Sequence, residues 1–346
     1  MTKTVKIGNL LLGGGNPVLV QSMTNTDTRD TAATLAQIRA LADAGCDIVR
    51  VSVYDEACAE AVKTLAAESP VPLVADIHFD HRLAIRSAEN GIAKLRINPG
   101  NIGGEAHVRE LADCAKAHHI PIRIGVNSGS AEKELLEKYG GPTPECLVES
   151  ALNHARMLEK AGFDDIVLSM KSSDVKGTIE AYRLANRRCD YPLHLGVTEA
   201  GLPGQGTVKS AIGIGALLAD GIGDTIRVSL SGDPVPEAKA AWDILRALNL
   251  RVRGVQLIAC PTCGRTCIPV EAIARRVEAE LADVTVPLKV AVMGCVVNGL
   301  GEGREADVGI AGGKTGGVLF IRGQEPQRVD GDLAEILISA VRRMIE

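Results

Sequence analysis

TAATLAQIRALADAGCDIVRVSV, residues 31–53, carries two different periodicities in one short stretch. Up to Ala44 the apolar residues return every three to four positions, as one face of a helix requires. Gly45 stands where a helix C-terminus favours a left-handed residue. From Asp47 the pattern becomes a short β-branched run, with Arg50 and Ser52 at the same parity and hence on one face of a strand. The fold depends on how often this helix–strand unit recurs.

It recurs along residues 17–248. Strands are predicted at PVLVQSMT (17–24), DIVRVSV (47–53), PLVADIHF (72–79) and KLRINPGN (94–101). Four more follow at PIRIGVNSGS (121–130), DIVLSMKSS (165–173), LHLGVTEAG (193–201) and TIRVSLSG (225–232). Alanine- and leucine-rich helical stretches separate them, such as CLVESALNHARMLEKAG (146–162), which also closes on a glycine. Eight strands alternating with eight helices predict an α/β chain built as a (β/α)8 TIM-type barrel; a doubly wound sheet rarely needs so many regular units. The opening KIGNLLLGGGNPV predicts a hairpin capping the barrel bottom. After PEAKAAWDILRALNL (236–250) the pattern changes. RVRGVQLIAC (251–260) and PLKVAVMGC (287–295) read as strands around a helix, VEAIARRVEAELADV (270–284). GREADVGIAGG and GGVLFIRGQ follow as a hairpin, then a terminal helix. The expected domains are a barrel over 1–250 and a smaller α+β unit over 251–346.

Composition bounds the function. With 346 residues, 46% hydrophobic and 23% charged, the chain fits a soluble globular protein. No run approaches the roughly 18 apolar residues of a membrane span, and MTKTVKIGNLLLGGG lacks a cleavage-type ending. The expectation is a cytoplasmic protein with reduced thiols, so its nine cysteines are metal ligands or core residues. A net charge of −5 argues against nucleic acid as partner. Three Phe, four Tyr and one Trp are too few for a base-stacking platform.

The strand ends hold the first chemical signal. In a barrel the C-terminal strand ends carry the active site. Polar residues there keep one parity: Arg50 with Ser52, Asp76 with His78, Arg96 with Asn98, Arg123 with Asn127, Ser169 with Lys171, Arg227 with Ser229. For any one arginine a structural ion pair is an equal alternative. Five cations from five strands, against Asp76 and Glu199 as the obvious partners, leave positive charge in surplus. That predicts a phosphate or diphosphate ligand, for which forked arginines suit bidentate binding. Glu199 in GVTEAG is either an arginine's partner or a candidate acid. His78 alone fits an ordinary hydrogen-bonding residue better than a catalyst.

The second signal is CPTCGRTC (260–267), followed by Cys295 and then Glu302. A zinc ribbon needs a second tight pair. A thioredoxin-like pair needs a βαβ context that this tail does not clearly supply. Iron–sulfur clusters accept such dispersed thiolates; zinc is the plainer alternative. Cys267 as fourth ligand gives a saturated centre, whereas Glu302 gives a weaker oxygen ligand that can yield to substrate. Cys46, Cys58, Cys114, Cys146 and Cys189 read as packing residues. GIAGGKTGG (309–317) is not a phosphate loop, because the spacing places Val308 where the first glycine belongs. GIGALLADGIG (213–223) follows no strand and is not a dinucleotide fingerprint.

Taken in order, QSMTNTDT, VRVSV, ADIHF, LRINPGN, IGVNSGS, SMKSS, VTEAG, IRVSLSG, CPTCGRT and GCVVNG cover essentially the whole chain. So arranged, the sequence resembles the 4-hydroxy-3-methylbut-2-enyl diphosphate synthases of the methylerythritol phosphate route to isoprenoids, in their bacterial two-domain form. The resemblance implies one [4Fe–4S] cluster per chain on Cys260, Cys263, Cys295 and Glu302, favouring the glutamate over Cys267. It implies that 2-C-methyl-D-erythritol 2,4-cyclodiphosphate binds at the mouth through Arg50, Arg96, Arg123, Asn127, Lys171, Arg227 and Ser229. Asp76 and His78 fall in a matching rim motif, and Glu199 matches the family's acid. The implied reaction is a two-electron reductive ring opening in which the cations hold the leaving diphosphate. No nicotinamide or flavin motif appears, so flavodoxin or ferredoxin is the implied electron donor. A head-to-tail homodimer, each cluster capping the partner's barrel, is implied as well. Leu300 departs from the proline usual in that turn. The rival readings are a zinc-stabilised barrel that binds a phosphorylated ligand, and a Schiff-base enzyme using Lys171, which leaves the cysteine unit without a task.

Overall fold

The structure, a computed structural model, describes residues 1–98 and 100–345; the side chains at 130, 298–300, 302 and 304 lie outside the described set. The chain forms two compact units, Met1–Arg251 and Val252–Glu346.

The first unit opens with an antiparallel hairpin, β1 (Thr4–Ile7) and β2 (Leu10–Gly13). Gly8 takes φ +56° at the first position of its two-residue turn, where a left-handed backbone is needed. Eight parallel strands follow: β3 (Leu19–Met23), β4 (Ile48–Ser52), β5 (Leu73–Asp76), β6 (Lys94–Ile97), β7 (Ile122–Asn127), β8 (Ile166–Lys171), β9 (His194–Leu195) and β10 (Thr225–Ile226). Their order is β8-β7-β6-β5-β4-β3-β10-β9, and a parallel bridge from Leu168 to Leu193 brings β9 back against β8. The barrel is as the repeat predicts. The last two strands are shorter than read, because residues after Leu195 and Ile226 leave the ladder for rim loops.

The opening stretch folds as its periodicities require. The Thr31–Asp43 helix is capped by Asp30, whose side chain accepts from the Ala33 N–H, and it buries Thr34, Leu35, Ile38 and Leu41. Gly45 follows at φ +99°. A helix at Lys133–Tyr139, too short to show a period, was not anticipated. Trp242, the only tryptophan, is buried; its Nε1 donates to Gly45 O at 3.0 Å. The Arg251 guanidinium lies 4.5 Å from the indole centroid and also donates to Asp47 at 2.6 Å.

Parity sorts the barrel interior. Val20, Val49, Ala75, Leu95, Ile122 and Ile124 belong to the core between strands and helices, so their neighbours point inward. The floor is Leu19, Ile48, Val74 and Val167, packed against Val5, Ile7 and Leu12 of the hairpin. Above it, where such barrels usually stack branched apolar residues, stand Gln21, Lys94, Arg123, Ser169, His194 and Thr225, all buried. A polar inner layer on an apolar floor is the departure that marks the open end of this barrel.

The second unit is a five-stranded sheet in sequential order: β11 (Val255–Ala259), β12 (Leu288–Met293), β13 (Val308–Gly312), β14 (Gly317–Ile321) and β15 (Gln327–Val329). The first three are parallel and the last two join antiparallel. The Val270–Glu280 and Leu333–Ile345 helices bury Val277, Leu337 and Val341 in a core with Val290, Val292 and Ile310. Strand β11, the Val270–Glu280 helix and β12 make a βαβ unit, which the sequence did not reveal because the pairing of β11 with β12 is non-local.

Candidate functional site

The barrel mouth is organised around two buried carboxylates. Asp76, ending β5, is in register with Arg96 on β6, which is in register with Arg123 on β7. Arg96 Nη1 donates to Asp76 Oδ1 at 2.9 Å, while Arg50 Nε and His78 Nε2 each stand 3.6 Å from Oδ2. Burial works to raise the Asp76 pKa, but Arg50 first, then His78 and Arg96, hold it well below the usual carboxylate range. Arg50 is further fixed by Met23, whose sulfur accepts from Nε and Nη2 at 3.0 and 2.8 Å. Burial pulls the Arg50 pKa down to about 10, against Asp76 and with the help of Arg227 and Arg96.

Glu237 is the second carboxylate. It sits in the first turn of the Val235–Ala247 helix and is 2% exposed. Arg227 donates to it through Nε and Nη2 at 3.3 and 3.2 Å. Lys171, buried at the end of β8, is depressed well below an ordinary lysine by burial and then by Arg123, Arg227, Arg50 and Arg96. Arg123 is depressed in the same way. Its Nε and Nη1, and Lys94 Nζ, have no hydrogen-bond partner among the described residues. Two glycines, Gly125 on β7 and Gly196 just past β9, make room for these chains: a Cβ on Gly125 would lie 2.5 Å from Arg96 Nε, and one on Gly196 2.6 Å from Lys171 Nζ. Substituting either therefore blocks a cation's channel.

The mouth thus gathers Arg50, Arg96, Arg123, Lys171 and Arg227. Asn127, in register with Lys171, and Ser229 are half-buried at the same strand ends, and the His78 side chain is exposed. With two buried carboxylates in contact with it, this cation set suits an anion carrying several negative oxygens. Glu199 is exposed and has no side-chain partner among the described residues. Its backbone is left-handed, φ +52°, a conformation that costs a residue with a Cβ about 1–2 kcal/mol. Such strain clusters at functional sites.

The thiols of the CPTCGRTC stretch and Cys295 lie in the second unit. Cys260 follows β11 and Cys295 lies just past β12, both buried. Gly294 N–H donates to Cys260 Sγ at 3.0 Å, and Cys267 N–H donates to Gly294 O at 2.8 Å. A Cβ on Gly294 would press on the Thr266 side chain at 3.1 Å, so glycine lets the 260–267 loop close over the strand end. Cys263 is exposed, and its pKa is lowered chiefly by the Arg265 backbone N–H, favouring the thiolate. Glu302 opens a short 3-10 turn, Glu302–Glu305; its side chain, like that of Leu300, lies outside the described residues. Among the described residues no three His, Cys, Asp or Glu side chains are already arranged as metal donors. The donor chemistry nevertheless fits an iron–sulfur cluster: two thiols at adjacent strand ends, a third on the loop that follows β11, and a peptide N–H directed at the Cys260 sulfur. Among the other thiols, burial pushes Cys58, Cys114, Cys146 and Cys189 upward, which leaves them inert.

A family model described as the GcpE TIM-barrel domain matches residues 2–242, and one described as the GcpE protein C-terminal domain matches 256–343. The chain belongs to the GcpE family. A relative from Caldanaerobacter subterraneus subsp. tengcongensis, named 4-hydroxy-3-methylbut-2-en-1-yl diphosphate synthase (flavodoxin), is 58% identical over 100% of this chain and 98% of its own. A Geobacter sulfurreducens relative of the same name is 56% identical over 99% and 98%. Among solved structures, Yersinia pestis dihydropteroate synthase aligns with a TM-score of 0.50 at 14% identity, over 72% of this chain and 100% of that one. At that identity the likeness concerns the barrel fold alone.

In this GcpE chain the strand-end cations converge as their parity predicts. Glu199 does not serve as an arginine's partner; Glu237 fills that role and was missed. Lys94 was also missed as an interior cation. Its parity with Arg96 was the available signal.

Proposed function

We propose that this GcpE protein is a 4-hydroxy-3-methylbut-2-en-1-yl diphosphate synthase, opening 2-C-methyl-D-erythritol 2,4-cyclodiphosphate by two-electron reduction. The observation that carries the reading is the excess of buried cations at the barrel mouth over Asp76 and Glu237. The names of the relatives specify the reaction. Arg50, Arg96, Arg123, Lys171 and Arg227, with Asn127 and Ser229, hold the diphosphate and stabilise the charge it gains when the ring opens. Asp76 holds Arg50 and Arg96 in place, with His78 beside it. Glu199 delivers the proton that the departing hydroxyl takes away as water. Cys260, Cys263, Cys295 and Glu302 would hold a [4Fe–4S] cluster, one per chain, which would supply electrons singly and a Lewis-acidic iron.

Flavodoxin is the proposed electron donor, on the strength of the relatives' names, with ferredoxin as the other one-electron carrier of suitable kind. The head-to-tail homodimer belongs to the same reading and rests on the family resemblance. No helix among the described residues is long and apolar enough to cross a membrane, in keeping with a cytoplasmic enzyme.

The test is anaerobic purification followed by iron and acid-labile sulfide analysis and turnover with reduced flavodoxin, the product followed by phosphorus NMR. A brown protein converting the cyclic substrate is expected. A colourless zinc protein that binds the substrate without turnover overturns the proposal in favour of the zinc-stabilised barrel.

Glu199 gives a sharper test. Glu199→Gly is expected to lower kcat by at least about a hundredfold, as loss of a positioned acid does. Glycine accepts φ +52° without strain, so the thermal midpoint should hold or rise. A variant that loses stability in proportion to activity contradicts the role.

A further inference from the structure

The Glu237 carboxylate accepts four hydrogen bonds from three separate places. Ser22 Oγ on β3 donates to Oε2 at 2.7 Å. Arg227, just past β10, donates through Nε to Oε2 at 3.3 Å and through Nη2 to Oε1 at 3.2 Å. The backbone N–H of Leu230, one residue beyond Ser229, donates to Oε1 at 2.9 Å. Both oxygens are consumed, and the residue is 2% exposed, so it cannot itself reach a ligand in the mouth. What it can do is clamp the neighbouring strand end, where Arg227 and Ser229 project. A guanidinium held bidentately along one edge, through Nε and Nη2, loses rotamer freedom before ligand arrives and keeps its other edge for that ligand.

A simple charge-balancing role predicts something different. A carboxylate beside an anion site repels the anion, so its removal should tighten binding. A clamp predicts the opposite sign.

We propose that Glu237 is a positioning residue for the reaction, presenting Arg227 and the Ser229–Leu230 backbone to the diphosphate. The inference rests on the reading of the mouth as a diphosphate site. Glu237→Gln keeps the shape but loses the charge and one acceptor. Calorimetry with inorganic pyrophosphate should show a Kd raised at least about fivefold although the site has become more positive. Steady-state assays should show kcat/KM lowered roughly 10- to 100-fold, the scale of a misplaced binding group. Because the effect passes through Arg227, R227M/E237Q should lie within about threefold of R227M alone. Ser22→Ala, which removes one anchor without changing charge, should shift the Kd about two- to fivefold in the same direction and remains informative if E237Q folds poorly. An E237Q protein that binds pyrophosphate as well as or better than wild type overturns the proposal, as does full additivity with R227M. Wild-type protein that does not bind pyrophosphate at all overturns the diphosphate reading beneath it.

Discussion

Cys263→Ala is expected to purify colourless, folded and without turnover. Among the three thiols this is the informative position. Cys260 and Cys295 are 9% and 7% exposed, and Cys260 belongs to the second unit's core, so replacing either also disturbs packing. Cys263 stands on the exposed loop, where alanine removes a proposed ligand and little else. Changing a residue that merely hydrogen-bonds to a metal ligand already costs about 10- to 100-fold; loss of a ligand should exceed that, with iron content falling in parallel. Cys267→Ala is the matched control. Its thiol is also exposed and donates to Arg265 O at 3.3 Å, so that variant should keep its iron and its activity within a fewfold. If Cys267→Ala loses iron and Cys263→Ala does not, the ligand assignment is wrong.

Asp76→Ala should give the largest loss of stability in the barrel. Asp76 is 4% exposed, with Arg96 and Arg50 against it, themselves 8% and 12% exposed at their side chains. Removing one partner of a buried pair leaves charge with nowhere to go, at about 3–5 kcal/mol. For a unit of this size each kcal/mol lowers the midpoint by about 2–4 °C, so a fall of roughly 6–20 °C is expected in differential scanning calorimetry. The pH dependence has a definite sign. The folded-state pKa of Asp76 lies below its ordinary 3.8, so its contribution is present above that value and is lost as pH falls through it toward the folded pKa. Wild type and variant should therefore converge in acid. Inorganic pyrophosphate, supplying negative oxygens to the same arginines, should recover part of the loss by binding only the folded state. A variant whose midpoint shifts by less than about 1 °C removes the claim that Asp76 balances these charges.

The parts of this design that obey a period are visible in the chain. Alternation along β4, β6, β7 and β8 puts Arg50, Arg96, Arg123 and Lys171 on one face, and the recurrence of the helix–strand unit closes the sheet. Glu237 obeys no such rule. A glutamate in the first turn of a helix is ordinary for electrostatic reasons, and nothing local distinguishes one that reaches sideways to a strand. Lys94 heads its strand, where a lysine usually marks a solvated edge; its complete burial follows from closure of the barrel around it. The βαβ unit around Cys260 was hidden for the same reason, since neither β11 nor β12 announces its partner. The Glu302 contribution rests on resemblance alone.

The chain's lone indole, packed in the barrel beneath Arg251 and bonded to Gly45, amounts to a native fluorophore confined to one of the two units. Selective excitation follows denaturation of the barrel while the Val252–Glu346 unit stays optically silent in that channel. Paired with the visible absorbance expected of the proposed cluster, it allows the melting of each half to be recorded in a single cuvette without labelling.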